Sequence, residues 1–279
     1  ERFEAESALE AAAREGATII AGTATQFIKM AEVDNIKQRY DLSRLRLVTN
    51  SAASLPAEIA QRIERQLGAR VMNIFGTTDA GVPASTSVED PPDLTIRTAG
   101  KALPGVEIRI VDDEGRDIAD EAPGRLLVKG QSVMKRYWKN PGKTARTLID
   151  GWLDTGDTFC RDKDGYYIYR GRSDDMLKVG ARWISPFEIE STLTEHPKVL
   201  EAAVVGRHDE SGLVKAEAWV VLKDPADASD TTAEEIGVFC KSRLEPYKYP
   251  RWIKFADELP KTATGKTQRF KLRTPAQDS

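Results

Sequence analysis

The sequence predicts an α/β protein in which a layered α/β segment leads into a β-rich segment and then into a small α+β module. Apolar strands alternate with amphipathic helices in the first 89 residues, which is typical of a parallel sheet. From Asp90 the pattern changes to short strands separated by turns, which indicates antiparallel β structure. After Asp174 helices return in a stretch of about one hundred residues, close to the usual size of a domain.

The elements follow from periodicity and turn signals. In the first segment we expect helices at 3–15, 24–32 and 56–67 and strands at 17–21, 45–49 and 71–75. In the second, strands are expected at 106–111, 126–128 and 166–169, and the turns Asp112–Gly115 and Asp164–Gly165 lie beside two of them. In the module we expect helices at 186–195 and 232–244 and strands at 199–205 and 216–222. Ser185, Pro186 and Glu188 have the spacing of a helix N-cap with a capping box.

Composition excludes several classes of function. The 279 residues carry a net charge of −3, so no overall positive field recruits nucleic acid or acidic membranes. No apolar run approaches the roughly 20 residues that cross a bilayer. Cys160 and Cys240 are the only cysteines and form no CxxC pair, which favours a reducing, cytoplasmic compartment and no structural metal.

The C-terminal segment Leu259–Arg269 contains the most informative motif. Gly265 and Lys266 lie in a small, Thr-rich loop, and such a loop can bring a lysine ammonium onto a phosphate. The basic residues around it form a poor nucleic-acid patch, because Phe270 is the only aromatic residue among them.

Three other motifs have a functional and a structural interpretation. Thr78 and Asp79 follow a strand, where a hydroxyl and a carboxylate could bind phosphate and Mg²⁺, or simply end the strand. Asp157 lies in a predicted tight turn at Trp152–Asp157 and could bind a ribose diol or cap the turn. Arg172 could bind nucleotide oxygens and Asp174 could be a hinge, or both could belong to a solvated linker.

The order and spacing of these motifs resemble the adenylate-forming, AMP-binding superfamily over nearly the whole chain. Gly124-x-Leu-x-Val-x-Gly130, Val133-Met134 and Tyr137 lie between the Thr-Asp and Asp157 motifs, and Pro260-Lys261 precedes Gly265-Lys266. The segments 174–188 and 246–252 are most similar to benzoate-CoA-ligase-like enzymes. The superfamily includes acyl- and aryl-CoA ligases, luciferases and peptide-synthetase adenylation domains.

The resemblance implies a role for each motif. Lys266 would be the catalytic lysine of carboxylate adenylation, and Asp174 the hinge. The resemblance also implies the following binding residues: Thr78, Asp157, Arg172 and Ala52 for the nucleotide, Asp79 for Mg²⁺, Gly180, Ala181 and Trp183 for the CoA path, and Ala24 and Thr25 for the acyl pocket. Two positions depart from the superfamily, which usually has Glu at Asp79 and Gly at Ala181.

The resemblance also implies an organisation and a reaction. Residues 1–89 would be the C-terminal part of the α/β subdomain of a large domain, 90–173 its β-rich subdomain, and 174–279 a mobile lid domain. The superfamily's phosphate-binding loop is missing upstream, so we expect a C-terminal fragment that is inactive alone. The whole enzyme would use ATP, Mg²⁺ and CoA on a small, preferably aryl, carboxylic acid, forming AMP. The alternatives are an enzyme that loads a carrier protein and a non-catalytic nucleotide-binding module.

Overall fold

The computed structural model describes residues 3–51, 55, 57–180, 182–262 and 267–273, without the side chains of 57 and 58. The chain divides into two compact units, Glu1–Tyr169 and Arg170–Ser279. Among the described helices, none is long and apolar enough to cross a membrane.

The first unit begins with helices packed on a mixed five-stranded sheet. Its helices are α1 (Ala5–Arg14), α2 (Ala24–Ala31), α3 (Ile36–Arg39), α4 (Ala57–Leu67) and α5 (Pro92–Arg97). Its strands are β1 (Ile19–Thr23), β2 (Leu47–Ser51), β3 (Arg70–Thr77), β4 (Gly81–Ser85) and β5 (Lys101–Ala102), in that spatial order. Strands β1, β2 and β3 are parallel, which confirms the predicted parallel sheet.

The core of this layer explains why the helices form. Leu9 of α1, Phe27 of α2 and Ile63 of α4 are completely buried, together with Val48 and Val71 of the sheet. These apolar residues recur at helical spacing on one face of each helix, so tertiary packing supports the helices. The sequence did not predict that β3 continues beyond β2 and turns into the antiparallel strand β4.

The β-rich part of the first unit is an antiparallel sheet, as predicted. Its strands are β6 (Val106–Val111), β7 (Gly124–Gly130), β8 (Leu148–Ile149), β9 (Trp152–Arg161) and β10 (Tyr167–Arg172), with α6 (Pro141–Thr147) before β8. The order is β10-β9-β7-β6, and β8 pairs with the outer part of β9. The division into units falls within β10.

The predicted tight turn at Trp152–Asp157 is wrong, because these residues lie inside strand β9. The chain reverses two residues earlier, where Ile149 pairs with Trp152 around Asp150 and Gly151. Both turn residues have positive φ, 51° and 81°, as a type I′ hairpin requires. An Asp-Gly pair suits that turn because glycine and aspartate tolerate left-handed backbone.

The second unit packs helices against a three-stranded sheet. The three strands of that sheet are β13 (Val199–His208), β14 (Val214–Leu222) and β15 (Trp252–Phe255), and a separate two-stranded sheet is formed by β11 (Leu177–Val179) and β12 (Arg182–Ile184). The helices of the unit are α7 (Pro186–Thr194) and α8 (Asp230–Lys241). Strands β13 and β14 are antiparallel, and β15 adds to β14 in parallel.

The predicted helix start at Ser185 is confirmed. Ser185 precedes α7, and its Oγ accepts a hydrogen bond of 3.2 Å from the backbone N–H of Glu188. Pro186 is the first helical residue, where a missing N–H costs nothing. The cap sets the direction in which α7 packs its buried residues Ile189 and Leu193 onto the sheet.

Candidate functional site

The turn between β3 and β4 holds two of the predicted nucleotide-binding residues. Strand β3 ends at Thr77, and Thr78 and Asp79 follow in the turn, as the sequence predicted. The Thr77 hydroxyl oxygen accepts a hydrogen bond of 3.0 Å from the N–H of Ala80. Gly81 has φ of 71°, and a Cβ there would lie 3.2 Å from that of Ser132. The turn is therefore tight and closely packed.

A second segment, Ser132–Tyr137, forms hydrogen bonds to the residues of this turn. The N–H of Met134 donates to the carbonyl oxygen of Asp79 at 2.7 Å. The Ser132 hydroxyl donates to the carbonyl oxygen of Ala80 at 2.7 Å. The Tyr137 hydroxyl donates to Asp79 Oδ2. Both the backbone and the carboxylate of Asp79 are thus oriented by residues more than fifty positions away in sequence.

The Tyr137 hydroxyl is protonated near neutral pH and therefore donates its hydrogen bond to Asp79. Burial raises the pKa of Tyr137 above its usual value, and the hydrogen bond to the Asp79 carboxylate raises it further. The Lys143 ammonium lies 3.9 Å from the centre of the ring and adds a cation–π contact. A protonated phenol on Oδ2 leaves the other oxygen, Oδ1, as the natural one to receive a cation.

The Asp79 carboxylate suits a Mg²⁺ ion that is also bound by phosphate oxygens. Within the described part of the chain, no group of three or more His, Cys, Asp or Glu side chains could hold a metal. Mg²⁺ is usually bound through one or two carboxylates, with phosphate oxygens and water completing its shell. A single oriented aspartate therefore fits a magnesium ion that arrives with a nucleotide.

Asp157 lies in a locally distorted part of β9. Arg125 of β7 pairs with Thr158 of β9, but Leu127 pairs with Asp154, so the register shifts between them. Strand β9 therefore bulges around Gly156, whose φ is 70°. The N–H of Asp157 donates to Thr155 Oγ1 at 3.2 Å, and that hydroxyl donates to a carbonyl of β7 at 3.1 Å. Bulges re-aim side chains. Here the bulge includes Asp157, which is only 6% exposed.

An aromatic contact links strand β3, which precedes the turn of Asp79, to strand β9, which contains Asp157. The ring centres of Phe75 on β3 and Phe159 on β9 are 4.7 Å apart in an edge-to-face arrangement. Tyr169 packs on the other side of Phe159 at 5.3 Å. Phe159 is completely buried, so the two predicted nucleotide-binding elements share one rigid part of the core.

The predicted acyl-pocket residues lie at the carboxyl end of β1. Ala24 and Thr25 begin α2, and Thr23 pairs in register with Ser51 at the end of β2. Ala24 packs into the core with 5% exposure. Ala52, predicted at the adenine, lies outside the described residues.

In the second unit, the predicted hinge Asp174 and the CoA-path residue Gly180 lie in turns, whereas Trp183 lies in strand β12. Arg172 Nε lies 3.3 Å from Asp174 Oδ1, and the Asp174 side chain is exposed. Gly180 has φ of 62° in the β11–β12 hairpin, and Trp183 of that hairpin is 53% exposed. Ala181 lies outside the described residues.

Lys266 also lies outside the described residues, but its flanks do not. Lys261 and Thr267 form an antiparallel bridge, so the two described flanks of the Lys266 segment lie side by side.

Sequence reasoning gave no role to Tyr137 or Ser132. Tyr137 was noticed as part of a motif, yet only its hydrogen bond to Asp79 reveals what it contacts. A hydrogen bond from Asn50 Nδ2 to Asn73 Oδ1 at 3.0 Å, in which only Asn50 is fully buried, was also missed. Asparagine within an apolar strand could have predicted such a hydrogen bond, because a buried polar group needs a partner.

Comparison with known proteins gives a consistent result. Residues 1–138 match the model for the AMP-binding enzyme family, and residues 188–266 match that for the AMP-binding enzyme C-terminal domain. A benzoate–CoA ligase of Thauera aromatica is 42% identical over 233 residues, covering 83% of this chain and 44% of that protein.

Solved structures agree with the sequence comparison. A benzoate CoA ligase from Burkholderia xenovorans LB400 superposes with a TM-score of 0.89 at 40% identity, covering 98% of this chain and 54% of that one. The anthranilate CoA ligase AuaEII, solved in complex with anthranoyl-AMP, gives 0.88 at 38% identity, with 96% and 51% coverage. The chain thus spans about half the length of these relatives. The predicted family and fold class are confirmed.

Proposed function

Because this chain belongs to the AMP-binding enzyme family, we propose that it is part of an ATP-dependent carboxylic acid–CoA ligase that forms AMP. The substrate we propose is an aryl or related small carboxylic acid. The observation that carries the proposal is the agreement of sequence and structure with a benzoate–CoA ligase along most of the chain. The oriented Asp79 carboxylate and the Phe75–Phe159 contact support it from the geometry.

The first half-reaction joins the acid to AMP. The substrate carboxylate attacks the α-phosphorus of ATP, the bond to the β-phosphate oxygen breaks, and pyrophosphate leaves. Negative charge builds on the phosphoryl oxygens, and fixed positive charges and donors stabilise it. Lys266 would supply such a charge, and Thr78 would position a phosphate oxygen. Mg²⁺, when bound, supplies further positive charge to those oxygens.

Tyr137 and Asp157 have supporting tasks in this scheme. By holding Oδ2 of Asp79, Tyr137 would leave Oδ1 turned toward the nucleotide's metal. Asp157 would accept hydrogen bonds from the ribose hydroxyls, and Arg172 would contact the nucleotide. We propose Ala52 at the adenine, and Ala24 and Thr25 at the acyl group.

The second half-reaction transfers the acyl group to a thiol. The sulfur of CoA attacks the acyl carbon, and AMP leaves with the bonding electrons. Because the lysine is needed only for the first step, rotation of residues 174–279 about Asp174 would remove it. The hairpin with Gly180, Ala181 and Trp183 would then line the path of the thiol. Residues 1–89 and 90–173 would form the other, larger domain.

The same proposal includes partners and location. The partners are the acid, ATP and CoA. A cytoplasmic location is proposed because the two cysteines suit a reducing compartment. The alternative functions are transfer to a carrier protein instead of CoA, and a non-catalytic nucleotide-binding module.

The test separates the half-reactions in the complete gene product that contains this chain. Lys266→Ala is expected to abolish pyrophosphate release from ATP and an aryl acid. It should still form the thioester from synthetic aroyl-adenylate and CoA, because that step does not involve the lysine. Lys271→Ala, which removes a basic residue from the same segment, is the matched control and should retain both steps.

Three outcomes would count against the proposal. Equal loss of both half-reactions in Lys266→Ala would refute the separate role of the lysine. A wild-type protein that binds an acyl-adenylate analogue but releases no pyrophosphate with any aryl, alicyclic or fatty acid would favour the binding module. Transfer from the adenylate to a carrier-protein thiol but not to CoA would favour the carrier alternative.

A further inference from the structure

The second unit holds the described residues on both sides of the Lys266 segment by backbone, apolar and ionic contacts. We call residues 259–262 and 267–273 the two arms. They meet where Lys261 bridges Thr267 and where the N–H of Gln268 donates to the carbonyl oxygen of Pro260 at 2.7 Å. Two backbone contacts therefore hold the two arms side by side.

Apolar contacts attach both arms to one face of the sheet. Leu259 from the first arm and Leu272 from the second are 4% and 8% exposed. They pack into a single cluster with Ala203 and Val205 of β13 and Val221 of β14. This cluster lies apart from the main core of the unit, which contains the buried faces of α7 and α8.

The second arm is also held by a nearly buried ion pair. Arg269 Nε donates to Glu190 Oε1 at 2.9 Å, and Arg269 Nη2 donates to Glu190 Oε2 at 2.6 Å. Glu190 is 7% exposed, and its Oε1 also accepts the N–H of Val204 at 2.8 Å. The third nitrogen, Nη1, reaches Asp175 Oδ2 at 3.3 Å. A guanidinium held on several sides has little freedom to rotate or shift.

The first arm has its own, more exposed ion pair. Lys261 Nζ donates to Glu201 Oε1 at 2.6 Å, with both side chains about one-third exposed. Glu201 lies on β13, and Val204, which Glu190 also contacts, lies three residues further along the same strand. Strand β13 thus contributes to both arms, directly through Glu201 for the first and through the Val204–Glu190 contact for the second.

Stability by itself does not account for an arginine–glutamate pair at this place. A nearly buried ion pair is seldom more stable than well-packed apolar residues of similar volume, because both charges lose their hydration. What such a pair provides is a single geometry, since a bidentate contact allows one orientation of the two groups.

We propose that Arg269 and Glu190 are positioning residues that hold the arms so that Lys266 reaches the phosphate in the adenylation step. The inference rests on the proposed function, in which Lys266 acts only in that step. A shift of about 1 Å in a reacting group can cost about a hundredfold in rate. Loosening the second arm should therefore slow adenylation and spare thioester formation.

The experiment uses Arg269→Gln and Glu190→Gln in the complete gene product. Each is expected to slow pyrophosphate release about ten- to a hundredfold, while thioester formation from synthetic aroyl-adenylate keeps the wild-type rate. Arg269→Lys, which keeps the charge but loses the bidentate contact, should show most of the same defect.

The control is Glu217→Gln in the same unit. Glu217 is completely buried and pairs with Arg207 at 2.9 Å and Lys254 at 3.0 Å, so removing its charge also breaks a buried ion pair. It should lower the thermal midpoint without separating the two half-reactions. If Arg269→Gln slows both half-reactions equally, in proportion to lost stability as Glu217→Gln does, the positioning role is overturned.

A measurement without turnover tests the anchoring itself. Amide hydrogen exchange at Gln268 and Val204 should become faster in Arg269→Gln, and unchanged exchange would overturn the inference. These results are distinguishable from failure of the proposed function. A wild-type protein that releases no pyrophosphate with any acid would refute the function, while the exchange experiment would still judge the anchor.

Discussion

The contact between Tyr137 and Asp79 makes a sharp prediction for the variant Tyr137→Phe. The change removes only the hydroxyl that donates to Asp79 Oδ2 and keeps the ring that packs beneath Lys143. A hydrogen bond at a partly exposed side chain contributes about 1 kcal/mol to the free energy of unfolding. For a unit of this size, such a loss lowers the thermal midpoint by about 2–4 °C.

The effect of Tyr137→Phe on Mg²⁺ affinity should be larger than its effect on the free energy of unfolding. Without the phenol, the Asp79 carboxylate can rotate, and residues that orient a metal-binding group typically affect metal affinity about tenfold or more. We therefore expect the Mg²⁺ concentration for half-maximal pyrophosphate release to rise about tenfold, with a smaller change at saturating Mg²⁺. Mg²⁺-dependent nucleotide binding measured by calorimetry should shift in the same direction. Because the pKa of Tyr137 is raised, the difference in Mg²⁺ dependence between the wild type and Tyr137→Phe should be constant below about pH 10.

Tyr166→Phe is a matched control from the same unit. The Tyr166 hydroxyl donates to Asp90 Oδ1 at 2.8 Å, and this bond raises the pKa of Tyr166 to about 12. The variant removes the same kind of tyrosine–aspartate bond, but from a different carboxylate. It should lower stability and leave the Mg²⁺ dependence unchanged. An unchanged Mg²⁺ dependence in Tyr137→Phe, or an equal shift in both variants, would refute the orienting role of Tyr137.

Two further predictions concern the second unit. Burial raises the pKa of Cys240 from about 9 to about 11, so the neutral thiol stabilises the folded state fully below pH 9 and this contribution is lost as the pH rises to 11. By urea unfolding, the wild type should lose about 2–3 kcal/mol more than Cys240→Ala over that range, and parallel pH curves would contradict this. Ser185→Ala removes the cap of α7 and a hydrogen bond to the Arg170 carbonyl, and should cost about 1–2 kcal/mol. Ser229→Ala, at the more exposed cap of α8, should cost less in the same denaturation assay, and equal losses would show that burial of the cap is irrelevant.

The elements that the sequence predicted best are those whose signals are local. The start of α7 follows from Ser185, Pro186 and Glu188 within four residues. The strand β6 was predicted at 106–111 because apolar and polar residues alternate there over its whole length. The Trp152–Asp157 segment was mistaken for a turn because its polar residues look like turn residues. Pairing with β7 and β8 makes it a strand.

The sequence by itself determined the alternation of helices and strands, the chemical types at the candidate site, and the resemblance that named the family. It did so because periodicity and motif spacing are properties of neighbouring residues. The tertiary structure alone decided that Tyr137 contacts Asp79 across 58 residues, that Phe75 packs on Phe159, and that Arg269 lies against Glu190 across 79 residues. Such contacts depend on how distant strands and turns pack together, and no local pattern encodes that geometry.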